Sequence, residues 1–335
     1  MKTFLLRLVR MPRVKYFLER IVIPAGDVAL APFTFAAAIL LKAIRRIGVY
    51  RMRVSHAILR RVGVFPIRDH YYEPLFHPRH LRRPLDEERR LPGIDFNLAG
   101  QLDLLGRFDY ADELDAIPRH GAEGSYYYDN PNFGPGDAEF LYSSIRHFQP
   151  SRILEIGSGF STLMMQLAIR ANQASNPAYR CHVVCVEPYE MDWLDRIAGI
   201  EILRQPVELL DERHVTELRA NDILFIDSSH VLRPQGDVVR EYLELLPLLA
   251  PGVLVHVHDI STPRDIPARW VVEEVRLYNE QYVVEALLSG GRRFGVIGAL
   301  NLLAHRHRDK LAEKFPVLRE WGPRCEPGSL WLVSQ

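Results

Sequence analysis

Two short segments combine acids and imidazoles in a way that could do chemistry. Phe225-Ile226-Asp227-Ser228-Ser229-His230 closes one apolar run, and Val255-His256-Val257-His258-Asp259-Ile260 closes another. If both runs are neighbouring strands, Asp227 and Asp259 emerge at the same sheet edge, with His258 beside them and His230 on the loop after Asp227. Carboxylates and an imidazole meeting at strand ends suit a divalent cation, with Asp227, His258 and Asp259 as ligands. Mg²⁺ would suit the oxygens, and His258 would admit Mn²⁺, Fe²⁺ or Zn²⁺. His230, three residues beyond Asp227, is placed to act as a general base. The bland reading is that the strand-end acids cap the following helices and His258 hydrogen-bonds locally. His256, one register away, should face a helix layer by strand alternation.

A third segment, Glu155-Ile156-Gly157-Ser158-Gly159, is a glycine turn between an apolar strand and a helical pattern. Such a turn lets a ligand approach the backbone and the helix amides. The third small residue of a dinucleotide fingerprint is absent, because Thr162 stands there, and no phosphate-binding G-x-x-x-x-G-K-[ST] loop occurs. No G-x-S-x-G elbow supports a serine hydrolase. Glu187 ends the next apolar run and could accept both hydroxyls of a ribose.

The elements that must position these residues are legible from residue 137 onward. A helix over Ala138–Phe148 precedes a strand over 152–156. A helix over Ser161–Ala171, a strand over Val183–Val186, a further helix and a weaker strand over Ile200–Leu203 follow. A strand over Asp222–Asp227, a helix over Asp237–Leu249, a strand over Val253–Val257 and a last strand near Ser329–Val333 complete the pattern. Short, continuously apolar strands alternating with helices predict a parallel sheet covered on both faces, with functional loops at the strands' carboxyl ends.

The residues Ile153-Leu154-Glu155-Ile156-Gly157-Ser158-Gly159, together with Glu187, resemble the class I S-adenosylmethionine-dependent methyltransferases. The resemblance runs from residue 137 to the C-terminus and leaves residues 1–120 outside. It implies a Rossmann-like, seven-stranded α/β sheet with helices on both faces and S-adenosylmethionine as methyl donor. It assigns cofactor binding to Glu155, Gly157, Gly159 and Glu187. The Asp227, His230 and Asp259 pattern is similar to the metal-assisted macrocin and cephalosporin-pathway O-methyltransferases. Where their acidic pair has its first member, this chain has His258. The resemblance implies methylation of a hydroxyl on a small molecule, a sugar or a lipid-linked glycan, with Asp227 and His230 catalytic and Mg²⁺ or another divalent ion assisting. Two alternatives stay open: a partner-binding protein that keeps the fold without catalysis, and a metal-using hydroxylase on the same scaffold.

Composition fits such an enzyme. The 335 residues are 47% apolar and 25% charged, which excludes disordered, collagen-like and polytopic membrane proteins. Three cysteines exclude a disulfide scaffold and fit a reducing compartment, hence a cytoplasmic location. The 42 basic and 42 acidic residues cancel only in total. Residues 1–61 hold 13 Lys/Arg against Glu19 and Asp27, a balance of +11. Their longest charge-free run, Val28 to Leu41, has 14 residues and contains Pro32, short of the about 20 that a spanning helix needs. Arg10, Arg13 and Lys15 stand where a secretory cleavage site should be. The expectation is a basic helical arm over 1–61, an irregular connector or cap over 62–119 and the catalytic domain over 120–335. The arm would pack on the domain or on a second subunit, or lie peripherally on an anionic membrane surface; nucleic acid is the least favoured partner.

Overall fold

The computed structural model describes residues 16–122 and 124–335, so the part of the expected arm over residues 1–15 lies outside the described residues. The chain divides into two compact units, residues 1–81 and 82–335.

Within the first unit, helix α1 spans Leu18–Ile47, and helix α2 spans Arg53–Val62 before Gly63 stops it in the left-handed conformation. Glu73 anchors this unit, accepting hydrogen bonds from Arg45 and Arg68 at 3.1 and 2.8 Å. Burial raises its pKa, but these arginines outweigh that and bring it down to about 2. One sequence expectation fails here. A count of uncharged residues stops at Asp27, whereas the helix does not, and α1 is long and apolar enough by length and composition to cross a membrane.

The second unit is built on a seven-stranded sheet. Its strands are β1 (Arg152–Ile156), β2 (His182–Val186), β3 (Ile200–Leu203), β4 (Ile223–Ile226), β5 (Leu254–Val257), β6 (Phe294–Ala299) and β7 (Leu330–Ser334). They lie in the order β3-β2-β1-β4-β5-β7-β6; the first five are parallel, and β7 runs antiparallel to both its neighbours. The strands read as continuous apolar runs because both faces are covered. Ile153, Val183, Ile223, Phe225 and Trp331 enter one core, beside helices α3 (Asp137–Phe148) and α4 (Phe160–Ser175). Their alternate neighbours Leu154, Val184, Leu224 and Val255 enter the other core, beside the helical segment that begins at Asp237 and helix α5 (Glu280–Leu288). Each fully buried large side chain contributes roughly 1.5–3 kcal/mol.

The connector expected over 62–119 is shared between the units. Leu104, Leu105, Phe108 and Leu114 are buried in the same core as Ile153. Gln101 accepts the Ala299 N–H at 2.6 Å, and Arg89 pairs with Glu285 of α5. Residues Leu98–Gly106 form a helix, where the sequence predicts a short one near Leu98–Leu105, and the partners of Gln101 and Arg89 lie nearly 200 positions away.

Candidate active site

The strand order reverses between β1 and β4, and the loops leaving those two strands therefore diverge and open a crevice. On the first loop, Gly157 has φ +78°, and a Cβ there would lie 1.9 Å from the Asp227 carbonyl oxygen. No other residue fits between the two strand ends. Gly157 N–H donates to the Val186 carbonyl and Asp227 N–H to the Ile156 carbonyl, at 3.1 and 2.9 Å, so the turn is tied to both neighbouring strands. Gly159 differs. Its backbone is extended, and a Cβ there would meet nothing within 4 Å, so the space over it is open.

Glu187 sits at the end of β2 with one carboxylate oxygen accepting Ser158 N–H at 3.1 Å and the other accepting Tyr189 N–H at 2.9 Å. It lines the crevice, as expected of a ribose-binding acid. Glu155 does not. It points into the core beneath the turn, fully buried, and accepts hydrogen bonds from Ser161 and Thr162 at 2.7 and 2.6 Å. Burial pushes its pKa up to about 7, against the opposing pull of these hydroxyls. The cofactor contact expected of Glu155 is thus corrected: strand alternation turns it away from the crevice, and its function is to hold the first turn of α4.

On the opposite rim the structure brings Asp227, His230, His258 and Asp259 together. His230 Nε2 lies 3.3 Å from Asp227 Oδ1 and 3.5 Å from Asp259 Oδ2. His258 Nδ1 lies 3.4 and 3.6 Å from the same two carboxylates. Each imidazole also meets an acid on its other side: Glu280 Oε2 is 2.7 Å from His230 Nδ1, and Asp137 Oδ2 is 3.7 Å from His258 Nε2. Burial alone would lower both histidine pKa values. Asp227 and Glu280 around His230, and Asp227 and Asp259 around His258, overcome it and raise both well above the ordinary value. Burial raises Asp227, but the imidazoles prevail and lower it; at Asp259 burial prevails and its pKa is raised. His230 and Asp259 both hold left-handed backbones, φ +60° and +57°, at a cost of about 1–3 kcal/mol each that the surrounding cluster must sustain.

Two expectations change on this geometry. Both nitrogens of His258 face carboxylates, Nδ1 toward Asp227 and Asp259 and Nε2 toward Asp137. Among the described residues no group of three or more His, Cys, Asp or Glu side chains is arranged to hold a metal ion. Asp227, His258 and Asp259 are gathered, but as mutually compensating charges rather than as a ligand set. His230 is likewise ill suited to be the base. It is buried, does not line the crevice, and has its pKa raised by Asp227 and Glu280.

The crevice encloses about 490 Å³, within the range of small-ligand sites. Its rims are the Gly157–Gly159 turn with Glu187 on one side and Asp227, His258 and Asp259 on the other. Phe133, from the glycine- and aromatic-rich loop before α3, lines it and packs 5.2 Å from the His258 ring. Trp270 and Tyr278 close the far wall, with the Arg276 guanidinium over both rings at 5.5 and 5.3 Å. Glu280 and Asp137, which face the far nitrogens of His230 and His258, were not among the site residues read from the sequence. Glu280 lies 50 residues from His230 with no local cue, while Asp137 follows the breaker run Gly134-Pro135-Gly136 at a helix start and was open to notice. His256 stacks on Phe225 at 3.9 Å and hydrogen-bonds Ser329 at 2.8 Å; it is a core residue, as strand alternation predicts.

Residues 154–260, which span both rims, match the family model described as a methyltransferase domain. An uncharacterized protein from Archaeoglobus fulgidus is 28% identical over 217 residues, covering 60% of this chain and 92% of its own length. Among solved structures, the MycE methyltransferase from the mycinamycin biosynthetic pathway, in complex with Mg, SAH and mycinamycin VI, is 14% identical. It aligns over 62% of this chain and 56% of its own, with a TM-score of 0.31. A putative protein-L-isoaspartate O-methyltransferase from Plasmodium falciparum, in complex with S-adenosyl-L-homocysteine, is 16% identical over 50% of this chain and 78% of its own, with a TM-score of 0.26. Within the second unit, residues 154–260 match a methyltransferase-domain model and lie on a seven-stranded α/β sheet.

Proposed function

We propose that this chain is an S-adenosylmethionine-dependent methyltransferase acting on a hydroxyl of a small molecule, sugar or lipid-linked glycan. The observation that carries the reading is the pairing of two rims on one crevice: an open backbone turn with Glu187 facing the half-buried carboxylates Asp227 and Asp259. When bound, the donor supplies an electrophilic methyl group. Glu187, already fixed by two backbone N–H groups, has lone pairs left to accept the hydroxyls of a ribose. The extended backbone at Gly159 leaves room for the rest of the donor. Trp270 and Tyr278 offer an aromatic wall to the acceptor and exclude water from its face. The acceptor's proton needs a base on the crevice. Asp227 and Asp259 are the carboxylates that line the crevice and are placed to take it. His230 then acts through Asp227 and Asp259 as a positioning residue. The donor set does not fit a cation, and no step is assigned to one.

Calorimetry tests the reading. Wild type should bind S-adenosylmethionine or S-adenosylhomocysteine, and Glu187→Ala should weaken binding by about 1.5–3 kcal/mol, the worth of hydrogen bonds to a charged group. No binding to wild type at millimolar ligand would refute the activity; unchanged affinity in the variant would refute the role of Glu187 alone.

A further inference from the structure

Unit one poses a separate problem. Helix α1 leaves large apolar side chains uncovered within its own unit: Val28 is 75% exposed, Phe33 73% and Phe35 70%, and of its residues after Val22 only Ile44 is buried. Phe35 and Ile39 lie on one side of the helix, and Leu30, Phe33 and Leu40 on the opposite side, at about 100° per residue. A helix lying in a membrane surface would carry one apolar face and one charged face, and α1 has no charged face between Val28 and Leu41.

Length and charge supply the rest. Between Arg20 and Lys42 stand 21 residues, of which only Asp27 and Thr34 are polar. At 1.5 Å per residue they extend about 31 Å, against about 30 Å for the hydrocarbon of a bilayer. Both margins are basic: six Lys/Arg up to Arg20 with Glu19 the one acid, and seven from Lys42 to Arg61 with none. Such margins match anionic headgroups. Pro32 removes one backbone hydrogen bond without ending the helix, and proline is common in membrane helices. Asp27 lies seven residues, about 10 Å, from the Arg20 margin.

We infer that α1 spans a lipid bilayer, with residues 21–41 in the hydrocarbon and the basic segments at anionic headgroups on either side, so that the catalytic unit works tethered to a membrane. The inference stands on unit one alone and survives failure of the proposed activity. The full chain, expressed in cells, should sediment with membranes and stay in the pellet after washing with 1 M salt and with alkaline carbonate. Leu30→Glu/Ile39→Glu should raise the fraction released by carbonate at least tenfold, while an unchanged far-UV circular dichroism spectrum shows that the released chain is folded. In sealed vesicles, Tyr16→Cys and Tyr50→Cys should react with a membrane-impermeant maleimide from opposite sides, above the background of the parent chain. Release of the unaltered chain by salt or carbonate would mean surface attachment only and overturn the inference. So would labelling of both cysteines from one side, or a mature N-terminus beyond residue 47, which would mark a cleaved signal.

Discussion

The two rims of the crevice are built on different principles. The glycine rim is local: Gly157, Ser158 and Gly159 are consecutive, their geometry is set by backbone sterics, and Glu187 is fixed by backbone N–H groups. The acid–imidazole rim draws on Asp137, Asp227, His230, His258, Asp259 and Glu280, whose first and last members stand 143 positions apart and which face each other as acids and imidazoles. A rim made of backbone fails by steric conflict. A rim made of buried charges fails by imbalance, because removing one partner leaves the others unpaired in a poorly solvated site.

The largest effect expected from that contrast is at Gly157. Gly157→Val places side-chain carbon against the Asp227 carbonyl at a positive φ, and should destabilise the second unit by more than about 5 kcal/mol in denaturant unfolding. Gly159→Ala, only two residues away, should cost less than about 1 kcal/mol because its backbone is extended and its surroundings are open. Equal effects at the two glycines would show that the turn relaxes and that backbone sterics do not define this rim.

Charge imbalance on the other rim should come next. Glu280 is 1% exposed and accepts hydrogen bonds from His230 and Tyr242 at 2.7 and 2.8 Å. Glu280→Ala should cost about 3–4 kcal/mol, since it strands a buried imidazolium. The sign with pH follows from the raised pKa of His230. Its contribution is fully present below the unfolded value near 6.5 and is lost as pH rises through the folded value. Glu280→Ala should therefore flatten the stability profile above pH 6.5, and nuclear magnetic resonance titration should place His230 lower than in wild type. An unmoved His230 titration would break the charge-balance account.

A smaller and pH-dependent effect belongs to the underside of the glycine rim. Glu155 has its pKa raised from 4.5 to about 7, so the folded state binds the proton more tightly than the unfolded state. Its contribution is present below pH 4.5 and fades as pH rises through 7, by roughly 3 kcal/mol in all. Glu155→Gln should remove that part of the decline between pH 4.5 and 7, leaving the part due to Glu139, whose pKa is also raised to about 7. A variant profile parallel to wild type would mean that Glu155 is ionised throughout.

The strands, the glycine turn and the convergence of Asp227 with Asp259 were all legible in the amino-acid sequence, because each depends on periods of two or on adjacent residues. Apolar runs between breakers specify strands, and a glycine between strand and helix marks a turn whatever surrounds it. The same reasoning turned Glu155 toward the cofactor and could not supply the surroundings of His230 and His258. Sequence shows that an acid or an imidazole stands near a strand end, but its direction and its ionisation depend on what faces it. Glu155 turns to Ser161 and Thr162; the pKa of His230 is raised by Asp227 and Glu280, and that of His258 by Asp227, Asp259 and Asp137. Helix α1 fails in the opposite sense: a charge-free count ended at Asp27, whereas a helix is set by continuous backbone hydrogen bonding that one aspartate does not interrupt. Local pattern therefore determined the elements and the position of the crevice. Which side chains face it, and in what charge state, was decided by contacts between residues tens of positions apart, where burial and neighbouring charge outweigh intrinsic chemistry.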